Sequence, residues 1–223
     1  MARLSAHTAA VGVWRVPCRA AARASRAAPA QTCHHRPMAD DRHLLFLVAS
    51  TRPEGVVGNT ETLARRAAAV LPAAVRQTWL SLVPPVLPPF EDHRHGRGTY
   101  PMPEGRARTL LDATLAASEL VFVAPVYWYS LPSPLKLYLD HWSAWLRVPG
   151  LEFKARMAGK PLALITTSGD REKAQPTIDS VRLCAEFMGM PWAGALWGLG
   201  GPPGTVERDT EALAAAATFL PGR

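Results

Sequence analysis

The run Leu120-Val121-Phe122-Val123-Ala124 places five apolar residues in a row between Glu119 and Pro125, and such a run fits a strand covered on both faces of a sheet. Further short aliphatic or β-branched runs complete a set of five strands at 43–50, 76–82, 119–126, 161–167 and 192–198. Helical patterns separate them. Leu63, Ala67 and Leu71 recur at helical spacing after Asn59, a good N-cap residue. Leu135, Tyr138, Leu139, Trp142 and Leu146 form an apolar stripe, with Ser133 placed to cap and Pro134 at the first helical position. Weaker patterns cover 104–117, 172–188 and 205–219. This alternation predicts an α/β fold: a doubly wound, five-stranded parallel sheet of order 2-1-3-4-5 with helices on both faces.

The 223 residues, 48% of them apolar, suffice for one domain of ordinary size. No apolar run approaches the roughly 20 residues of a membrane span, so no membrane partner is expected. The net charge of +7 would suggest an acidic partner, but residues 1–37 hold six arginines and no acid, leaving 19 basic and 18 acidic residues in the body. Nucleic-acid binding by a folded basic face is therefore not expected. Residues 1–37 read as a disordered leader and 38–223 as the folded domain. An organellar transit peptide and an upstream start misread before Met38 would both look like this. Cys18 and Cys33 lie in the leader, and Cys184 sits in a helical pattern. No disulfide framework follows, so the cytoplasm is the expected compartment, or an organelle if the leader is a transit peptide.

Two loops at strand ends carry the chemistry. Ligands of an open parallel sheet sit beyond the carboxyl ends of the strands where strand order reverses, here between the first and third strands. The loop after the first strand holds Ser50, Arg52, Gly58, Asn59 and Thr60. It offers hydroxyls, a guanidinium, close backbone approach and a helix start, which together suit a phosphate. The loop after the third strand is Pro125-Val126-Tyr127-Trp128-Tyr129, whose aromatic faces and amides suit a planar ring. A third wall is offered by Thr167-Ser168-Gly169-Asp170 at the end of the fourth strand. The combination predicts flavin mononucleotide, FMN.

Competing motifs are weaker. Neither G-x-x-x-x-G-K-[ST] nor a G-x-G-x-x-G after the first strand is present. Gly198-Leu199-Gly200-Gly201-Pro202-Pro203-Gly204 reads as a plain loop, because its prolines and late position do not suit a dinucleotide fingerprint. His93 and His95, in the proline-rich segment 83–103, lack a third ligand, and no metal site is assigned. That segment is long enough to be a functional loop.

From about His43 to Leu220 the chain resembles the flavodoxin-like NAD(P)H-dependent FMN reductase and quinone reductase family. The likeness rests on Ser50-Thr51-Arg52 with Gly58-Asn59-Thr60, on Pro125 to Ser130, and on Leu135-Lys136 with Asp140. It implies non-covalent FMN, with Ser50, Arg52, Asn59 and Thr60 on the phosphate, Pro125 to Tyr129 along the ring, and Ser168, Gly169 and Asp170 at a third contact. It also implies NADPH or NADH as electron donor and a flavin, quinone or similar small molecule as acceptor. Donor and acceptor would take turns in a ping-pong cycle that needs no catalytic acid, base or nucleophile. Homodimers or homotetramers are implied too, with Leu87 to Asp92 reaching toward a partner, and the surplus of tryptophans, including Trp142, Trp145, Trp192 and Trp197, is available to cover such an interface. Pro53 to Val57 make the phosphate loop longer than the family's, which puts the role of Arg52 in question. The alternatives are a flavodoxin-like electron carrier without reductase activity and a scaffold that has lost FMN.

Overall fold

The computed structural model describes residues 42–53 and 55–221. The leader, a start at Met38, Cys18 and Cys33 lie outside the described residues. β1 (His43–Val48), β2 (Arg76–Ser81), β3 (Glu119–Val123), β4 (Leu162–Ser168) and β5 (Trp192–Leu199) form one sheet of order β2-β1-β3-β4-β5. Every neighbouring pair is parallel, as the sequence predicts. The helices are α1 (Asn59–Ala68), α2 (Gly105–Ala116), α3 (Ser133–Trp145), α4 (Phe153–Met157), α5 (Arg171–Met188) and α6 (Thr210–Phe219). The five residues of α4 are too few to show a helical period in sequence.

Alternation along the strands divides the core in two. Leu45, Leu47, Leu120, Phe122, Leu162 and Leu164 face one way, under α2, α3 and α5 through Leu111, Leu135, Tyr138 and Val181. Leu44, Phe46, Val121, Val123, Ala163 and Ile165 face the other way, under α1 and α6 through Leu63, Ala67, Ala212 and Ala216. Leu44 to Leu47 are all fully buried, which is why these strands read as unbroken apolar runs. Each such leucine contributes about 1.5–3 kcal/mol by burial.

Two sequence expectations need correction. Pro132, with φ −57° and ψ 144°, is the N-cap of α3, so Ser133 lies inside the helix and Pro134 falls in its first turn. The fixed ring of Pro132 already supplies the break in backbone direction that a capping serine would mark. Trp142 and Trp145 pack inside the chain's own core and have no surface to offer an interface. The long segment after β2 meets α3 through Phe90 against His141 and through His141 Nε2 with the Pro88 carbonyl at 2.9 Å, while Phe90 also stacks on Tyr100 within the segment. Among the described residues no helix is long and apolar enough to cross a membrane.

Polar anchors sit at the amino ends of the strands. Arg42 donates to both carboxylate oxygens of Glu119 at 2.6 and 3.0 Å, and both side chains are about nine-tenths buried. Lys160 Nζ donates to the carbonyls of Leu115 and Ala117 at 2.6 and 2.5 Å, capping the end of α2. Its burial pulls its pKa down to about 8.

His43 is held at the same edge. Arg76 Nη2 lies 2.9 Å from Nδ1 and can only donate, so Nδ1 is bare and Nε2 donates to Thr78 Oγ1 at 2.8 Å. Burial, then the charges of Arg76 and Lys160, lower its pKa below 6.5, against the opposing pull of the Ala116 carbonyl. The unfolded chain therefore takes up this proton first as pH falls. Stability from this group is complete above pH 6.5 and is lost as pH falls through the lowered folded value. We expect the urea midpoint to drop between pH 7.5 and 5.5, and the drop to shrink in His43→Gln; an equal drop in both proteins would assign the acid sensitivity elsewhere.

Candidate functional site

The loop after β1 brings an arginine to an open helix start. Gly58 is the N-cap of α1, and the first intrahelical bond runs from Thr62 N to Gly58 O at 2.9 Å. The amides of Asn59, Thr60 and Glu61 thus have no intrahelical partner and sit at the positive end of the helix dipole. Arg52 lies across Gly58, where an added Cβ would fall 2.8 Å from Arg52 Nε. Among the described residues Arg52 has no ion pair or hydrogen bond, and the lengthened loop does not carry it away from the cleft. An unpaired guanidinium over a free helix start fits a phosphate.

Asn59 behaves otherwise than the sequence suggests. It is the first residue of α1, not its cap, and its side chain crosses to the loop after β5. Thr60 Oγ1 meets Thr167 Oγ1 at 2.5 Å, joining the start of α1 to the end of β4. One hydroxyl donates to the other, which leaves the accepting hydroxyl's proton for a ligand.

The loop after β3 makes a two-residue reversal. Tyr127 and Ser130 exchange backbone hydrogen bonds of 3.0 Å in both directions, and Trp128 and Tyr129 between them have φ of 50° and 61°. This is the backbone of a hairpin turn in which Asn-Gly would be at ease. Two aromatic residues in such left-handed positions cost about 1–3 kcal/mol each. Trp128 is 93% exposed and Tyr129 56%. Thr51 Oγ1 reaches Tyr127 Oη at 3.4 Å, so the first two loops touch.

At the third wall, Ser168 Oγ donates to the Asp170 carbonyl at 2.5 Å and accepts from Trp197 Nε1 at 2.7 Å. Its hydroxyl is therefore occupied within the protein. Asp170 is the N-cap of α5, accepting from Lys173 N at 2.9 Å and pairing with Lys173 Nζ. The hydrogen bonds from Lys173 hold its carboxyl below the usual range.

These walls enclose a cleft of about 260 Å³ at the β1–β3 switch point. Ser50, Arg52, Gly58, Asn59 and Thr60 line one side; Pro125, Val126, Tyr127, Ser168 and Gly169 line the others. Trp128, Tyr129 and Asp170 are not in its lining, the first two because the turn carries them outward into solvent. Thr167 of the third wall also lines the cleft, and the structure adds Gly200 and Gly201. The two glycines belong to the stretch read as a plain loop, and their density was the available signal: a Cβ on Gly200 would lie 3.0 Å from Ser168 N. Among the described residues no group of three or more metal-ligating side chains occurs.

Comparison with known proteins places this cleft in context. The family described as NADPH-dependent FMN reductase matches residues 43–201. YwqN of Bacillus subtilis (strain 168), which carries the description NAD(P)H-dependent FMN-containing oxidoreductase, is 34% identical over 166 residues, covering 73% of this chain and 90% of YwqN. The solved Trp repressor binding protein from Bacillus subtilis superposes with a TM-score of 0.60 at 28% identity, over 79% of this chain and 97% of its own. A flavodoxin, WrbA-like protein from Agrobacterium tumefaciens shares the fold, with a TM-score of 0.52 at 15% identity, over 80% of this chain and 92% of its own.

Proposed function

The chain belongs to the NADPH-dependent FMN reductase family, and from that premise we propose that it holds FMN in the β1–β3 cleft and reduces a small acceptor at the expense of NADPH or NADH. The observation that carries this reading is Arg52, a guanidinium unpaired among the described residues, lying over Gly58 and the open amides of α1. Arg52, the Asn59 and Thr60 amides and the Thr60–Thr167 hydroxyl pair would bind the phosphate. Ser50 would add a donor beside them. Pro125 to Tyr127 and the backbone at Ser168 and Gly169 would flank the ring. When bound, FMN supplies the two-electron redox chemistry that links the nicotinamide donor to the acceptor.

The protein's own part is to orient and to shield. No side chain is assigned as acid, base or nucleophile, because the described residues that line the cleft include no carboxylate, histidine, lysine or cysteine. Donor and acceptor would take turns over the same face, in a ping-pong cycle. Flat acceptors such as quinones, free flavin, azo compounds and nitroaromatics suit the exposed aromatic turn, and a homodimer or homotetramer is the proposed assembly.

Purified full-length protein should be yellow, or become so with FMN, and should bleach when NADPH or NADH is added without oxygen. Protein that stays colourless with added FMN would end this reading. A yellow protein bleached only by a separate reductase would make it an electron carrier.

A further inference from the structure

The loop after β5 is fixed against the cleft from two directions. Gly200 N donates to the Ser168 carbonyl at 2.7 Å, an approach so close that a Cβ on Gly200 would lie 3.0 Å from Ser168 N. Asn59, only 4% exposed, donates through Nδ2 to the Gly201 carbonyl at 3.1 Å and to the Pro202 carbonyl at 3.0 Å. Its Oδ1 accepts from Val206 N at 3.3 Å. Both amide hydrogens and the amide oxygen of Asn59 are thereby used on one loop, more than 140 residues away in sequence. Gly201 lines the cleft, and its N–H makes no hydrogen bond among the described residues.

Resting on the FMN reading above, we propose that the β5 loop is a further wall of the phosphate end, with Gly201 N–H a donor to the phosphate and Asn59 the positioning residue that sets it. Asn59 acts here through its side chain on the protein and through its backbone on the ligand. Gly201 is exposed and its N–H is unpaired among the described residues, so an anion in the cleft has a backbone donor to meet there. The same strap couples the start of α1 to the loop, so the two walls keep their spacing.

The test separates the phosphate from the rest of the flavin. Apo protein is titrated with FMN and, separately, with riboflavin, which lacks the phosphate, following flavin fluorescence. Asn59→Ala should weaken FMN about tenfold, the worth of roughly one well-made hydrogen bond, and leave riboflavin affinity unchanged. Gly200→Ala, which crowds the Ser168 backbone without touching Asn59, should weaken FMN more than riboflavin, which feels only the shift at Ser168 beside the ring. It also carries the test if Asn59→Ala does not fold. Equal weakening of both flavins, or of neither, overturns the proposal: Asn59 would then hold the fold and not the phosphate. Wild-type protein that binds neither flavin overturns the FMN reading itself, and the proposal with it.

Discussion

Glu119→Ala is expected to cost about 3–5 kcal/mol of folding stability, read as a lowered urea midpoint at pH 7.5, because it leaves Arg42 buried without its partner. The pair joins the residue before β1 to the first residue of β3, and Arg42 Nη2 also reaches the Leu220 carbonyl at 3.4 Å. Removing the carboxylate strands a guanidinium whose side chain is only 10% exposed. Water cannot enter freely to replace it. Arg42→Met with Glu119→Leu should recover much of the loss, since exchanging both charges for apolar groups removes the desolvation cost along with the attraction. If the single and double variants are equally destabilised, the contribution of the pair is packing, and charge has little to do with it.

Arg52→Ala is expected to weaken FMN binding by about 10- to 150-fold, the equivalent of the roughly 1.5–3 kcal/mol assigned to a hydrogen bond with a charged group. Riboflavin binding should be unaffected. Fold stability should move by less than about 0.5 kcal/mol, because Arg52 supports nothing else among the described residues. Arg52→Lys should fall between the two proteins, keeping the charge and losing the planar fork. Calorimetric titration of the apo protein measures the affinities, and urea unfolding measures the stability. Unchanged FMN affinity in Arg52→Ala would remove this residue from the site.

The sheet was legible because parallel strands buried on both faces leave unbroken apolar runs, as at Leu44 to Leu47. Its strand order then brought the loops after β1 and β3 together without any contact being known. What escaped the sequence depends on distant partners or on backbone shape. Asn59 looks like a cap from its neighbours, and only the position of Gly201 and Pro202 redirects its amide. The role of Gly200 follows from the β4–β5 register, which sets Leu199 beside Ser168. Trp128 and Tyr129 carry none of the Gly or Asn signals of a left-handed turn, so their outward projection was hidden. Asp170, by contrast, had a local signal: an aspartate directly before a helical pattern is an N-cap candidate.

The two edges of the sheet have different occupations. Arg42, His43, Glu119 and Lys160 fasten the amino ends of the strands, while the carboxyl ends carry the loops that form the cleft. Substitutions at one edge therefore fall mainly on folding, and those at the other mainly on what is bound. A chain arranged in this way is evolvable: its loops can be lengthened, stiffened or re-aimed to meet a new acceptor while the anchoring edge keeps the scaffold intact.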